Sequence, residues 1–396
     1  MKKIRLGVVG LGNMGSKHSQ NIIQGLCPEI ELAAICDLKQ DRIDAVIKFY
    51  NDNKETVAFP EPKTYISASE MFRSGEIDSV IIAVPHYDHP TLTIEALDNG
   101  IHVMCEKPAG VYTLAVRDMI AAADRHKDLT FAMMFNQRTN PVYRKMKEIV
   151  DSGELGNIRR TSWIITNWYR SQAYYDSGDW RATWEGEGGG VLLNQCPHNL
   201  DLWQWICGMP KLIDAKLHYG KWHNIEVEDD VTAYVEYENG ATGTFITTTG
   251  DAPGTNRFEI VMDGGTLVCD GKTLTLDKLE VPEPEFTKNN KRIFGSPKHA
   301  VTKIECEGEN TQHCGVLNAF AAHILHGDEL IADGREGIFG LTISNAMHLS
   351  SWTRSEIELP FDENKFHELL CEKINTSKKK DNVVSSVADT DNTYNS

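Results

Sequence analysis

The stretch IRLGVVGLGNMG, residues 4–15, decides the fold of the first part of the chain. It begins as an almost unbroken apolar run, which is typical of a strand buried on both faces. The run continues into a GxGxxG pattern that opens a predicted helix. The pattern consists of Gly10, Leu11, Gly12, Asn13, Met14 and Gly15. Its glycines permit a tight turn, a close approach of the backbone to a pyrophosphate, and close packing of helix on strand. The N-terminus of the helix then faces the anion.

An acidic residue follows at the expected distance. The next predicted strand, 32–36, ends at Asp37, about 20 positions beyond Gly15, where a carboxylate meets the ribose hydroxyls of a dinucleotide. The alternative is a glycine-rich turn without a ligand, and the order of strand, turn, helix, strand and acid argues against it. A carboxylate repels a 2′-phosphate by about 4 kcal/mol at about 4 Å and an effective dielectric of about 20. NAD is therefore favoured, and the nearby Lys39 and Arg42 leave NADP as the weaker alternative.

Outward from this motif, short apolar runs alternate with amphipathic segments as far as residue 135, which indicates a parallel sheet covered by helices. The predicted strands are 5–9, 32–36, 80–84, 102–105 and 129–133. The predicted helices are 14–23, 40–49, 91–97 and 114–126. We expect an α/β fold in which residues 1–135 form a doubly wound, Rossmann-type, nucleotide-binding domain.

The rhythm changes beyond residue 135. Longer alternating strands at 158–166, 231–237, 242–249 and 258–261 predict an α+β domain over 136–372 with one large, open, mainly antiparallel sheet. Helices are predicted at 141–151, 197–206, 316–325 and 338–352, and the helix near 335–352 is expected to pack toward the first domain. The lysine-rich and polar segment 373–396 is predicted to be a disordered tail.

Composition excludes several classes of protein. The formal net charge of −17 repels nucleic acid and anionic membrane surfaces, so neither is expected as a partner. The chain contains no apolar run of about 18 residues and no convincing secretory signal, which predicts a cytoplasmic protein. Nine cysteines without CxxC or zinc-finger spacing predict reduced thiols and no metal site.

Two further segments carry chemistry. Cys105, Glu106, Lys107 and Pro108 follow a predicted strand, at the sheet edge where doubly wound folds bind their ligands. There, Lys107 is suited to hold a carbonyl oxygen, whereas the alternative is a surface lysine paired with Glu106. The second segment, GGGVLLNQCPHNLD, spans residues 188–201. Because Pro197 suits the first turn of a helix, His198 is expected near a helix N-terminus.

The chain resembles the Gfo/Idh/MocA oxidoreductase family, which includes inositol and glucose–fructose oxidoreductases, from about residue 4 to about residue 360. The resemblance rests on several motifs in the family's order. These are GxGxxG at 10–15, VPHYDH at 84–89, EKP at 106–108, NQR at 136–138 and the GGG…H…D segment at 188–201.

The resemblance implies roles for individual residues. Lys107 and His198 would flank a substrate hydroxyl beside the nicotinamide, with His198 taking its proton and Lys107 holding the oxygen. Taken alone, His198 is more typical of a core histidine. Many relatives carry Asp where this chain has Asn194, which weakens charge stabilisation of an imidazolium. Asp201 is either the partner that orients His198 or a surface acid of the helix. Further contacts with the cofactor are expected from Val84, Pro85, His86, His89, Glu106, Lys107 and Asn136, and the equal alternative for His89 is a cap of the following helix.

Aromatic and arginine side chains are dense just before the triple glycine. They are Trp168, Tyr169, Arg170, Tyr174, Tyr175, Trp180, Arg181 and Trp184. One interpretation is a wall that stacks on a sugar or cyclitol, with Trp168, Tyr169, Arg170, Trp180 and Arg181 joining Lys107, Asn194 and His198. The equally weighted alternative is a loop packed at a subunit interface.

Together these features favour an NAD-dependent dehydrogenase that oxidises a secondary alcohol of a sugar, glycoside or inositol. One alternative is a glycosidase that works by transient oxidation, elimination, hydration and reduction. Another is a non-catalytic NAD or sugar sensor, against which the presence of both Lys107 and His198 argues. The resemblance also implies a homodimer or homotetramer.

Overall fold

The computed structural model describes residues 2–378 and 380 of the 396-residue chain. The first domain alternates strands and helices. In chain order these are β1 (Ile4–Val9), α1 (Asn13–Ile23), β2 (Ile30–Cys36), α2 (Gln40–Asp52), β3 (Lys63–Tyr65), α3 (Ala68–Arg73), β4 (Ser79–Ile82), α4 (Asp88–Asp98), β5 (His102–Cys105), α5 (Thr113–Arg125) and β6 (Phe131–Met133).

The first sheet is parallel throughout, in the order β3-β2-β1-β4-β5-β6, and confirms the predicted doubly wound fold. The strand order reverses between β1 and β4, and ligands of such sheets bind outside the carboxyl ends of the strands at this switch point. The glycine motif follows β1, and Glu106 follows β5. Both therefore lie at the same edge of the sheet. β3 is a strand that the sequence analysis missed, because its three residues are mostly exposed and form no apolar run.

The rest of the chain forms the second domain and several helices that return to the first. Short 3-10 helices occupy Asn136–Thr139 and Gly334–Glu336. The remaining elements are α6 (Pro141–Asp151), β7 (Ile158–Ile165), α7 (Gln172–Tyr175), α8 (Pro197–Cys207), β8 (Leu212–Tyr219), β9 (Glu228–Glu236), β10 (Thr242–Thr248), β11 (Asn256–Met262), β12 (Gly265–Cys269), β13 (Leu274–Leu279), α9 (Glu283–Asn289), β14 (His299–Ile304), α10 (Gln312–His326), α11 (Gly337–Thr353), β15 (Ile357–Glu358) and α12 (Glu363–Asn375).

The second sheet has nine strands, in the order β14-β13-β12-β11-β7-β10-β9-β8-β15. β7 and β10 run parallel, while the other neighbouring pairs among the described strands are antiparallel. The sheet is thus mainly antiparallel, as predicted, but the parallel pair at its centre was not expected. Its buried face carries Trp163 stacked on Phe258, with ring centroids 4.2 Å apart, and it is covered by α6, α8 and α11.

Three late helices tie the domains together. α10 packs Leu317 and Phe320 into the core under β1, and α12 packs Phe366 and Leu370 into the core beside α5. α11 belongs to both cores. It contributes Ile338, Leu341 and Leu349 to the first and Ile343, Ala346 and Met347 to the second. α10, α11 and α12 thus all pack against the first domain, although most of their residues fall in the range 136–372 predicted for the second.

The predicted disordered tail begins too early. α12 continues through Asn375, and the residues after it make contacts: Ser377 Oγ donates to Glu226 at 2.5 Å and Lys380 Nζ donates to the carbonyl of Tyr175 at 2.6 Å. Position 379 and positions 381–396 of the predicted tail lie outside the described residues. No helix in the described part of the chain is long and apolar enough to cross a bilayer.

Candidate active site

The glycine motif forms a close-packed turn with one open position. Gly10 has a φ of +87°, and a Cβ on it would overlap the carbonyl oxygen of Ala83. A Cβ on Gly15 would overlap the carbonyl oxygen of Gly10. A Cβ on Gly12, by contrast, would meet no atom within 4 Å. Gly10 and Gly15 are thus required by packing, and Gly12, at the start of α1, borders space that fits a pyrophosphate.

Asp37 supports this turn from the end of β2. Its carboxylate is 7% exposed and accepts hydrogen bonds from the backbone N–H of Leu11 at 2.7 Å and of Lys39 at 2.9 Å. Arg42 Nη1 donates to the same carboxylate at 3.3 Å. Oδ2 accepts from both Leu11 and Arg42, whereas Oδ1 accepts from Lys39, so the lone pair that remains for a ribose hydroxyl lies on Oδ1. Because Arg42 is paired with Asp37, the site also contains a guanidinium close to the position of a 2′-substituent.

The segment after β4 contains two buried histidines with different roles. His86 Nδ1 lies 3.2 Å from the carbonyl of Glu187, and burial and the nearby His89 and Lys107 hold its pKa well below the ordinary value. His89 contacts the carbonyls of Pro108 at 2.6 Å and Val84 at 2.9 Å through its two nitrogens. The expectation that His89 contacts the cofactor is therefore corrected: both nitrogens are occupied, and the ring fixes one sheet-edge segment to the other. Pro85, also expected at the cofactor, is exposed beside them.

Glu106 and Lys107 follow β5 but do not pair with each other through their side chains. Glu106 is 4% exposed, and its Oε1 contacts His18 Nε2 at 2.7 Å. Burial would raise the pKa of Glu106, but the hydrogen bond and charge of His18, with His313 and Lys107, hold it at about 2. Lys107 Nζ instead donates to the carbonyl of Asn194 at 3.0 Å, across the domain boundary. Burial lowers the pKa of Lys107, which the charges of Glu106 and Glu187 partly oppose.

His198 lies at the start of α8 and is 3% exposed. Both of its ring nitrogens are buried and have no hydrogen-bond partner among the described residues. Burial, and next the charge of Lys107, hold its pKa well below 6.5, so the ring is neutral. A buried polar group without a partner carries a desolvation cost of about 1–3 kcal/mol, which a ligand hydroxyl would remove. His198 is thus a buried, neutral imidazole whose electrostatic surroundings include the half-buried Lys107.

A second group of polar residues adjoins the lysine, and the sequence analysis predicted one member of it, Asn136, but not His18, Gln312 or His313. The rings of His18 and His313 lie 5.5 Å apart, and burial and the nearby His18 and Lys107 bring the pKa of His313 to about 4. Asn136 Nδ2 donates to Gln312 Oε1, while Asn136 Oδ1 is buried and has no partner among the described residues. His18 follows Gly15 by one helical turn, which is a usable sequence signal. His313 and Gln312 reach the site only because α10 returns.

The aromatic segment divides into two groups. Tyr175 and Trp184 are buried in cores, so they are not available to a substrate. Five of the others form an alternating stack, in which Arg170 lies over Trp168 and Tyr174, and Arg181 lies over Tyr174 and Trp180. Trp180 also meets the His86 ring edge-on at 6.1 Å, and Tyr169 is 50% exposed. Trp168, Arg170, Trp180 and Arg181 are thus gathered near the edge of the first sheet.

The triple glycine is held by a buried carboxylate on β9. Glu228 accepts from the backbone N–H groups of Gly190 and Leu192 at 2.9 and 3.0 Å, and His348 Nε2 lies 3.0 Å from it. A Cβ on Gly190 would overlap the carbonyl oxygen of Glu228. The loop therefore needs glycine for close packing, and it delivers Asn194 to Lys107.

Asp201 has neither of the roles that the sequence suggested. It is 1% exposed and makes a two-point ion pair with Arg138, at 2.6 and 2.8 Å. Arg138 also binds Glu336 at 2.7 Å, so the triad joins α8 to both 3-10 helices. Asp201 is thus neither the partner of His198 nor a surface acid; it fixes the helix that carries His198.

The cofactor that the fold implies fits these residues. The open position at Gly12, the uncapped start of α1, the buried acceptor Asp37 and the unpartnered Oδ1 of Asn136 are suited to a dinucleotide along the sheet edge. Within the described residues, no group of three or more His, Cys, Asp or Glu is arranged to hold a metal ion.

Comparisons with known proteins agree with the architecture. Residues 4–134 match the oxidoreductase family with an NAD-binding Rossmann fold, and residues 143–268 match the GFO/IDH/MocA C-terminal domain. The rhizopine catabolism protein MocA of Rhizobium meliloti is 28% identical over 52% of this chain and 58% of its own length. The D-glucoside 3-dehydrogenase of Escherichia coli K12 is 24% identical over 90% of this chain and 97% of its own length.

Solved structures give the same result. The WlbA dehydrogenase of Chromobacterium violaceum, in complex with NADH and UDP-GlcNAcA, has a TM-score of 0.76 at 25% identity and covers 91% of this chain and 97% of its own. The two family matches together cover more than half of this chain, and the first of them spans all six strands of the first sheet. The chain therefore belongs to the Gfo/Idh/MocA oxidoreductase family, and its first domain is an NAD-binding Rossmann domain.

Proposed function

We propose that this protein is an NAD-dependent dehydrogenase that oxidises a secondary alcohol of a sugar, glycoside or inositol, and that Lys107 and His198 act on the reacting hydroxyl. The observation that carries the proposal is His198, whose two buried nitrogens have no partner among the described residues and which lies near the half-buried Lys107. The relatives named above support the substrate class, since their names include a glucoside dehydrogenase and a complex with a sugar nucleotide.

The proposed mechanism uses the protonation states that the site favours. Bound NAD supplies the hydride acceptor. Neutral His198 accepts the hydroxyl proton at a ring nitrogen, and cationic Lys107 donates a hydrogen bond to the oxygen as it becomes a carbonyl. Glu106 and Glu187 help to keep Lys107 charged, because both raise its pKa. The stack of Trp168, Arg170, Trp180 and Arg181 offers ring faces and hydrogen-bond donors to a polyol.

The direct test is a fluorescence screen for net NADH formation from NAD⁺ with inositols, hexoses, glycosides and nucleotide sugars. We expect NADH to form with at least one polyol. Release of free sugar from an aryl glycoside without net NADH would identify the redox-cycling glycosidase instead. Binding of NADH and polyols without any turnover would contradict the proposed enzymatic activity and would favour a non-catalytic NAD or sugar sensor.

The pH profile follows from two shifted groups. His198 acts as its neutral form and its pKa is well below 6.5, so kcat/KM should persist through pH 6.5 and fall only in more acidic solution. Lys107 acts as its cation and its pKa is lowered from 10.5, so activity should fall on the alkaline side before pH 10.5. Steady-state kinetics from about pH 4.5 to the lysine's ordinary value would measure both limbs. An acid limb that stays in place in His198→Gln would contradict the assignment.

Cofactor preference follows from Asp37. We expect kcat/KM with NAD⁺ to exceed that with NADP⁺ by about tenfold or more, because the buried carboxylate repels a 2′-phosphate. Asp37→Ser should narrow this ratio, since Arg42 then loses its acidic partner and becomes available to the phosphate. The matched control is Asp41→Ser, because Asp41 is an exposed acidic residue on α2, next to Arg42. A wild-type preference for NADP⁺ would show that Asp37 does not discriminate.

We also propose a cytoplasmic homodimer or homotetramer. The support for an oligomer is the outer face of the nine-stranded sheet, where Tyr234 and the nearby Trp222 are 39% and 54% exposed. Exposed aromatic surface of this kind is typical of an interface.

A further inference from the structure

Glu187 is a buried carboxylate just before the triple glycine, outside the catalytic pair. It is 2% exposed, and both of its oxygens accept hydrogen bonds. Oε2 accepts from the backbone N–H of Ala182 at 2.6 Å, and Oε1 accepts from Asn194 Nδ2. Arg181 Nη1 lies 3.9 Å from Oε1. Glu187 thus holds one end of the Asn194 amide.

A separate set of hydrogen bonds fixes the other end of that amide. The Tyr174 hydroxyl oxygen accepts from Arg181 at 2.8 Å and from Gln195 at 3.2 Å. Its own hydrogen is directed to Asn194 Oδ1, 3.4 Å away. Nδ2 is therefore directed at Glu187 and Oδ1 at Tyr174, while the backbone oxygen of the same Asn194 receives Lys107.

We propose that Glu187 is a positioning residue of the dehydrogenase: it holds Asn194 with Oδ1 presented as an acceptor to a second hydroxyl of the polyol. The proposal rests on the proposed function. An amide can offer either a donor or an acceptor, and here the buried carboxylate makes the choice. A carboxylate on the substrate-facing residue itself is then unnecessary, because the negative charge lies one side chain further away.

The charges around Glu187 bear on its titration. Burial raises the pKa of Glu187 above its ordinary value, and Arg181, the Ala182 N–H and Asn194 oppose this rise only in part. The titratable groups that interact with it or lie against it are Arg181, Lys107, Lys380, Glu228, His86 and Tyr175. Its nearest partners are cationic or hydrogen-bond donors, which suits a carboxylate and does not suit a second carboxylate at position 194.

Each single substitution should break the pair in a different way. In Glu187→Gln, one oxygen can still accept from Ala182, but the new amide nitrogen then faces Asn194 Nδ2. Asn194 must turn over and present a donor to the substrate. We expect KM for the polyol to rise by about threefold to tenfold, the effect of losing a neutral hydrogen bond to its second hydroxyl. The alkaline limb of kcat/KM should also move to lower pH, because Glu187 raises the pKa of Lys107.

In Asn194→Asp, two buried carboxylates meet and one must take up a proton. Activity and Tm should both fall as pH rises, since the pair, which holds its shared proton above the ordinary carboxyl range, then loses it. The double variant, Glu187→Gln with Asn194→Asp, exchanges the two groups. The amide nitrogen introduced at position 187 then donates to the carboxylate introduced at position 194, whose other oxygen is again an acceptor beside Lys107.

The test is a double-substitution cycle with three measurements. These are Tm against pH without substrate, KM and kcat for the polyol, and the pH at which kcat/KM falls on the alkaline side. We expect the double variant to recover to within about threefold of wild type in kcat/KM, with both pH effects removed, whereas Glu185→Gln, an exposed neighbour, changes nothing. A double variant that equals the product of the single defects would overturn the proposal. Wild type without polyol turnover would overturn the proposed function alone, because recovery of Tm still decides whether Glu187 and Asn194 act as a pair.

Discussion

Replacing Lys107 with methionine is expected to lower kcat/KM for polyol oxidation by about a thousandfold, because the oxygen that becomes a carbonyl loses its cationic donor. Methionine preserves most of the buried stem, so the fold should persist. The Lys107 charge also depresses the pKa of His198, although less than burial does, so the acid limb of the residual activity should move toward pH 6.5.

The measurements are steady-state kinetics across pH and NADH binding by fluorescence titration. NADH affinity should stay within a few fold of wild type, since the glycine turn and Asp37 are untouched. Lys127→Met, at an exposed lysine, is the control for loss of a positive charge. A kcat/KM of Lys107→Met equal to that of the wild type would contradict the mechanism.

Two alanine substitutions in the glycine motif should separate binding from folding. Gly12→Ala places its methyl group where no atom of the protein lies within 4 Å, so Tm should change by only a degree or two. The methyl group would occupy space assigned to the pyrophosphate, and the Kd for NADH should rise by about tenfold to a hundredfold. Gly15→Ala, in contrast, forces the methyl group against the carbonyl of Gly10 and should lower Tm markedly.

Thermal melts with and without NADH, together with fluorescence titration, would measure both variants. Equal loss of Tm in the two would show that Gly12 is needed for packing as well. Unchanged NADH affinity in a folded Gly12→Ala variant would show that the pyrophosphate does not bind at this turn.

The sequence predicts what is local. The run at 4–15 and Asp37 identify the first βαβ unit because strand, turn, helix and acid lie close along the chain. The triple glycine and Lys107 mark the chemical site because they follow recognisable patterns. β3 escapes prediction because it is short and exposed, and the parallel β7/β10 pair escapes because alternation within a strand carries no information about its neighbour's direction.

Contacts between residues that lie far apart in the sequence were the ones that the sequence did not predict. Asp201 is spaced one turn after His198, which suggests a pair, yet the fold supplies Arg138 from 63 positions away. His313 approaches Lys107 only after α10 has crossed back to the first domain. The Glu187–Asn194 pair is nearer in sequence, but its contact depends on the curvature of the glycine loop, which no residue period encodes.

α11 has a consequence for folding cooperativity. One helix supplies side chains to both hydrophobic cores, so neither domain can lose its native packing without exposing apolar surface of the other. Free energy gained when a nucleotide binds the first domain is therefore shared with the second, including the loop that carries Asn194. A dinucleotide would act as a stabiliser of the whole chain, and the half of the site that meets the alcohol would become more ordered before the alcohol arrives.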